Sequence, residues 1–221
     1  KAESDLMTHL DALEKAAAAM FEEEEGPDRW LLPITDPDLL PGLQADYRRA
    51  QQDYAKELAK QEDAPRLVSD MVTFGSPLGR ADILLAERSE KFRKRKERRE
   101  YPTCPPFFEN WAMDAMRFTY PRDDPARIPH HASGFAPTVW SNVYFPERLL
   151  FFGDPLAGAC APHFGPGVVD HVLPNKGLRF QHRDYWKEGE DEVSKAAIAA
   201  LREALNLPHN PPPSPETSEQ A

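Results

Sequence analysis

Apolar positions near the N-terminus recur at intervals of three and four. Leu6, Leu10, Leu13, Ala17 and Met20 fall on one stripe, which predicts an amphipathic helix with Ser4 as its N-cap and an end near Gly26-Pro27. The acidic run Glu22 to Glu25 reads as its solvated last turn, frayed by carboxylates at the negative end of the helix dipole. Residues Trp30 to Gly42 mix Pro33, Pro37 and Pro41 with Leu and Ile, the pattern of an ordered loop without a regular ladder. A second stripe, Leu43, Tyr47, Ala50, Tyr54 and Leu58, predicts another helix that ends before Pro65. Residues 1–64 are therefore expected to form a helical pair.

The period then changes. Leu67 to Phe74 is short, rich in β-formers, mostly apolar and bounded by Gly75-Ser76-Pro77, as expected of a buried strand in a parallel sheet. Ser76 is placed to cap a following helix and Pro77 to occupy its first position, with Ala81, Ile83, Leu84, Leu85 and Phe92 carrying that helix towards Glu100. Its second half, Lys91 to Arg99, is strongly basic and reads as a solvated helix end; an anionic partner or the acidic first helix is the alternative use of that charge. Tyr101 to Pro137 has little periodicity and many prolines, and predicts a long loop of the kind that passes over a pocket; the adjacent His130 and His131 in it read as exposed. Val139 to Phe145 predicts a second buried strand, Leu149 to Phe152 an apolar continuation, and Val168 to Leu173 a third strand. A last helix from about Asp191 has Val193, Ala197, Ala200, Leu201, Ala204 and Leu205 on a face, and the Pro/Ser/Glu stretch 208–221 is expected to be disordered.

Composition narrows the function classes. With 221 residues and 40 % hydrophobic content the chain supports one main core. Its net charge of −10 opposes non-specific attraction to nucleic acid and to anionic membranes. No run approaches the roughly 20 apolar residues of a transmembrane span, and the N-terminus lacks a signal-peptide core, so a soluble, cytoplasmic chain is expected. Cys104 and Cys160 read as two reduced, buried thiols. The 23 prolines cluster between the periodic segments and separate a modest number of regular elements with long loops. Because the sequence begins at Lys1, it is expected to be a processed chain or part of a longer one.

Candidate chemistry lies towards the C-terminus. Phe152-Gly153-Asp154-Pro155-Leu156-Ala157-Gly158 puts a carboxylate on a tight Gly/Pro turn, and Gln181-His182-Arg183-Asp184-Tyr185-Trp186 puts an imidazole on a second loop. Such a pair can supply the acid and base of a hydrolytic triad, the carboxylate fixing the tautomer of a histidine that deprotonates a nucleophile. Asp170 competes with Asp154 for the acid role, although it sits inside an apolar strand pattern, and His171 and His163 compete with His182. No cofactor is implied.

In order, the strand with its Gly75-Ser76-Pro77-Leu78-Gly79 turn and helix, Trp140-Ser141-Asn142-Val143-Tyr144 leading to Gly153-Asp154-Pro155-Leu156, Val169-Asp170-His171 and the His182 loop resemble the C-terminal half of an α/β-hydrolase of the lipase/esterase type over residues 66–190. The resemblance implies an α/β fold with a partial, mainly parallel sheet and flanking helices over 65–207, and the helical pair 1–64 as an insertion or lid. It also implies that Asp154 orients His182 and that His182 acts as general base and acid towards a serine, on a small-molecule or lipid ester. The sequence departs from the family in having no G-x-S-x-G nucleophile elbow. Ser76 occupies a strand-to-helix position in the pattern G-S-x-x-G and reads as a cap. The nucleophile is therefore expected in a missing N-terminal part of the same protein, and this chain alone is expected to be inert. The alternative is a hydrolase-like interaction or regulatory module without catalysis.

Overall fold

A computed structural model of the chain describes residues 2–23, 31–61, 68–106, 118–120, 128–129, 131–147, 153–175, 180–187 and 189–205. The expected tail 208–221, the apolar stretch 149–152 and His130 lie outside them. The helical stripes of the sequence become α1 (Ala2–Ala18) and α2 (Leu40–Leu58), which pack on each other. Helix α1 begins two residues before Ser4, so Ser4 lies inside its first turn and does not cap it. It also stops earlier than its apolar stripe suggests. Phe21–Glu23 forms β1, antiparallel to β2 (Leu31–Pro33), so part of the acidic run is strand and part of the proline-spaced segment holds a ladder. The end of α1 turns Met20 fully into the core while its carbonyl accepts from Ile34 N–H at 2.9 Å, a tertiary partner that local periodicity does not encode.

The central sheet contains β3 (Asp70–Phe74), β6 (Val139–Tyr144) and β7 (Val169–Val172), all parallel in the order β3-β6-β7. Asp70 pairs with Val139 and Ser141 with Val169, which sets the register of the three strands. Between β3 and β6 the long loop contributes a two-residue ladder, β4 (Thr119–Tyr120) with β5 (Ile128–Pro129), and a 3₁₀ turn over His131–Phe135.

Helices cover both sheet faces, as a parallel sheet requires. Trp140 and Met71 point into a cluster shared with Leu13, Met20, Tyr47, Phe92 and Phe164; Val143 and Phe145, one residue out of phase, point into a second cluster with Val193, Ala197 and Ala200 of α6 (Glu192–Ala204). Asp191 caps α6 by accepting from Val193 and Ser194 N–H. The continuous helix expected after Pro77 is broken into a 3₁₀ turn (Pro77–Arg80), α3 (Ala81–Leu84) and α4 (Ser89–Glu97), with Glu87 at φ +62°. The break buries both Ala86 and Phe92, and the freed Leu85 carbonyl accepts from Arg95 Nη1 at 2.9 Å and Tyr101 Oη at 3.1 Å. The basic segment is largely neutralised locally: Lys91 pairs with Glu87, Arg93 with Glu97 and Lys94 with Glu90, each at i,i+4 spacing. Cys104 and Cys160 are buried free thiols.

Helix α2 is tied to the core at one end of the strands. Gln51 Nε2, wholly buried, donates to the carbonyls of Ala136 at 3.0 Å and Thr138 at 2.7 Å, just ahead of β6. Gln44 Nε2 donates to Pro166 and Val168, just ahead of β7. Arg48 holds the Glu203 and Ala204 carbonyls at the C-terminus of α6. Helix α2 is thus tied at the N-terminal ends of the strands. Gln51→Leu keeps the volume but leaves two buried carbonyls without donors, so it is expected to lower unfolding stability by about 2–4 kcal/mol in urea titrations. A change below about 0.5 kcal/mol contradicts this anchoring role.

Candidate functional site

The C-terminal ends of the parallel strands carry the chemistry, the position that open α/β sheets generally use for ligands. Strand β3 ends at Gly75, whose N–H extends the ladder to Val143 O at 3.0 Å. Beyond β6, the chain returns at Gly153 (φ +84°), where a Cβ would lie 2.1 Å from the Pro146 carbonyl oxygen, so only glycine fits. Gly153 forms a parallel bridge with Phe180, and Gln181 N–H donates to Gly153 O at 2.7 Å. This short ladder lays the histidine loop beside the acid loop and closes their separation in sequence.

Asp154 follows Gly153 with no exposed surface. Its Oδ1 accepts from Leu156 N–H at 3.1 Å, the bond of a tight Asx-type turn. Its Oδ2 lies 2.9 Å from His182 Nδ1 and accepts the Tyr185 hydroxyl at 2.8 Å. A carboxylate has no proton to donate, so the proton of the His182 bond resides on Nδ1 and Nε2 is the basic nitrogen. The His182 side chain remains 40 % exposed, and among the described residues no hydrogen bond reaches Nε2. The two residues singled out in the sequence thus meet at the separation an orienting acid and a base require.

The competing residues have other partners. Asp170 accepts from Asn142 Nδ2 at 2.7 Å, Cys160 N–H at 2.9 Å and Ala161 N–H at 2.9 Å, and so fastens the start of α5 (Ala161–Phe164) to the sheet. Asn142 itself is fully buried, accepting from Thr73 Oγ1 and donating to Gly158 O, which makes it the brace between sheet and acid loop. His163 Nε2 bonds Gly79 O at 3.0 Å, and the Ser76 hydroxyl caps the 3₁₀ turn by accepting Leu78 N–H at 3.2 Å. His171 faces α6, with Nδ1 3.9 Å from Glu203.

Two contributors had no role assigned from sequence. Tyr185 is buried three positions after His182, and its ring packs on Phe145 at 4.8 Å between centroids. Gly75 (φ +55°) leaves no space for a side chain, since a Cβ would meet Tyr185 Cε2 at 2.6 Å and Asp154 Oδ2 at 3.0 Å. Three large apolar side chains on these segments are solvent-exposed: Leu156 on the acid loop, Phe180 with its ring 5.9 Å from that of His182, and Trp186 with its ring 4.8 Å from that of Phe74. A cavity of about 530 Å³ lies elsewhere, between Glu22 and the Ile34–Leu39 turn, and includes neither Asp154 nor His182.

Among the described residues, no cluster of three or more His, Cys, Asp or Glu is arranged to hold a metal ion, and no helix is long and apolar enough to cross a membrane. Comparison of the chain with protein-family models, with curated proteins and with solved structures yields no match. What stands is a mixed α/β chain with a small parallel sheet and a buried Asp154 bonded to a part-exposed His182 at the C-terminal ends of its strands.

Burial pushes the His171 imidazole below its ordinary value, opposed by the Glu203 and Asp170 carboxylates and reinforced by the Arg48 guanidinium. The folded chain therefore resists a proton that the unfolded chain accepts near pH 6.5, so this contribution to stability is present above about pH 6.5 and is lost on acidification. In urea melts from pH 8 to 5, wild type is expected to lose more stability than His171→Gln, which cannot take up the proton. Parallel pH profiles for the two contradict the assignment.

Proposed function

We propose that this chain carries the acid and base of a serine carboxylic-ester hydrolase of the lipase/esterase type, built on an α/β-hydrolase-like fold. The observation that carries the reading is the 2.9 Å bond from His182 Nδ1 to the fully buried Asp154, made at the C-terminal ends of parallel strands with the opposite edge of the imidazole left accessible. In this reading Asp154 holds the tautomer and supports the imidazolium electrostatically. His182 Nε2 removes the proton from a serine hydroxyl as that oxygen attacks the ester carbonyl, then returns it to the departing alkoxide. The exposed Leu156, Phe180 and Trp186 favour an ester with an apolar portion, whether a small molecule or a lipid.

The serine comes from outside residues 1–221. Among the described residues no hydroxyl bonds His182, and the Ser76 hydroxyl is engaged as a cap. Strand β3 pairs with β6 on one side, and among the described residues its other edge is open, which suits a further parallel strand delivering the nucleophile to the same end of the sheet. That segment is the N-terminal part of the same protein in this proposal. A hydrolase-like interaction module without a nucleophile is the second reading, favoured by the same vacant edge of His182.

Two measurements separate these. In a protein that joins this chain to its serine, His182→Ala is expected to cut ester turnover by on the order of a million-fold with the fold retained, and unchanged turnover overturns the proposal. A serine-reactive fluorophosphonate is expected to label that joined protein at one serine outside residues 1–221 and to leave the isolated chain unlabelled. Absence of labelling in the joined protein supports the interaction module, and stoichiometric labelling of Ser76 overturns the placement of the nucleophile.

A further inference from the structure

We infer that Tyr185 is the positioning residue of this site: its phenol, aimed by the backbone of β6's C-terminal end, locks the carboxylate of Asp154 in the orientation that receives His182. The inference rests on reading Asp154 and His182 as acid and base, and it concerns how the pair is held. A phenol oxygen donates one proton and accepts others. Phe145 N–H donates to Tyr185 Oη at 3.1 Å, which occupies an acceptor site and leaves the O–H to point at Asp154 Oδ2, 2.8 Å away. The direction of the chain of bonds is therefore set by a backbone N–H that cannot turn: Phe145 N–H to Tyr185 Oη, Tyr185 O–H to Asp154 Oδ2.

The two carboxylate oxygens are then fully assigned. Leu156 N–H takes Oδ1, and the Tyr185 hydroxyl and His182 Nδ1–H share Oδ2. With Tyr185 present, rotation of the carboxyl about its Cβ–Cγ bond would break the phenol bond as well as the amide and imidazole bonds; without it, Oδ2 is held by the half-exposed His182 alone and Oδ1 by the turn amide. The ring is held as firmly as the hydroxyl. It lies against Phe145 at 4.8 Å and Phe74 at 6.3 Å, within the apolar cluster that includes Val193 and Ala197, and the absence of a side chain at Gly75 makes room for its edge. Burial and the adjacent carboxylate both push the phenol well above its ordinary range, so it remains a neutral donor and does not exchange roles with the acid.

The experiment uses the full chain. In proton NMR, the Nδ1–H of His182 exchanges with solvent only when its bond to Asp154 opens, so its exchange rate reads the positioning without any ester or nucleophile. Tyr185→Phe keeps the ring and removes the oxygen, and is expected to accelerate that exchange by about tenfold, the low end of what a hydrogen bond to a charged group contributes. Val193→Ala thins the same apolar cluster without touching Asp154 and is the control for mere destabilisation. It is expected to lower the thermal midpoint while leaving the His182 exchange rate within about twofold of wild type. Unchanged exchange in Tyr185→Phe overturns the inference, as does equal acceleration in both variants. Should Tyr185→Phe not fold, Tyr185→Met, which fills the site with a flexible apolar side chain and removes the donor, is compared instead; its exchange rate is expected to exceed wild type while the far-ultraviolet spectrum is kept, and unchanged exchange overturns the inference. A failure of serine labelling refutes the hydrolase reading and leaves these exchange rates as they are, so the two failures are distinguishable.

Discussion

The site depends on one buried carboxylate. Asp154 has no exposed surface, yet three donors from two segments converge on it: the Leu156 amide in its own turn, and the His182 ring and Tyr185 hydroxyl of the histidine loop. Burying an ionised carboxylate without such partners costs several kcal/mol, so the acid loop, the histidine loop and the end of β6 are constrained to meet. The Gly153 to Phe180 bridge and the positive φ of Gly75 and Gly153 are the local means by which the backbone allows that meeting. Everything needed to orient His182 therefore sits at one end of a three-stranded parallel sheet.

At the other end a different set of polar residues closes the structure. Gln51, Gln44 and Arg48 of α2 take up backbone carbonyls ahead of β6, ahead of β7 and at the end of α6, respectively. This separates two tasks along the strand direction. Helices α1 and α2 contribute apolar mass to one face, and α2 is tied at the N-terminal ends of the strands, while the C-terminal ends stay open around His182. Between the two ends, the buried Asn142 and the part-buried Asp170 form a polar brace that ties β6, β7 and the start of α5 together.

Much of this was legible in the sequence because the relevant signals are local. The helical stripes of α1, α2 and α6, the short β-rich runs bounded by glycine and proline, and the turn chemistry around Asp154 depend on residues close together in the chain, and each element formed near its expected place. The errors share a cause. The early end of α1, the β1–β2 ladder and the break at Glu87 are set by tertiary partners, such as Ile34 for Met20 and Tyr101 for Leu85, which no periodicity reports. Asp170 was ambiguous for the same reason: its partners, the amides of Cys160 and Ala161, lie ten and nine residues upstream across a turn. Tyr185 was visible as an aromatic near His182, but its role requires Phe145, 40 residues away in sequence and adjacent in space.

Asp154 holds His182 with Nδ1 protonated and Nε2 bare. Long-range proton–nitrogen correlation spectra of the nitrogen-15-labelled chain read the tautomer of each neutral imidazole directly. The Nδ1–H form is expected for His182 in wild type, with loss of that preference in Asp154→Ala. A wild-type His182 protonated at Nε2, or a tautomer indifferent to Asp154→Ala, would show that Asp154 does not hold the imidazole.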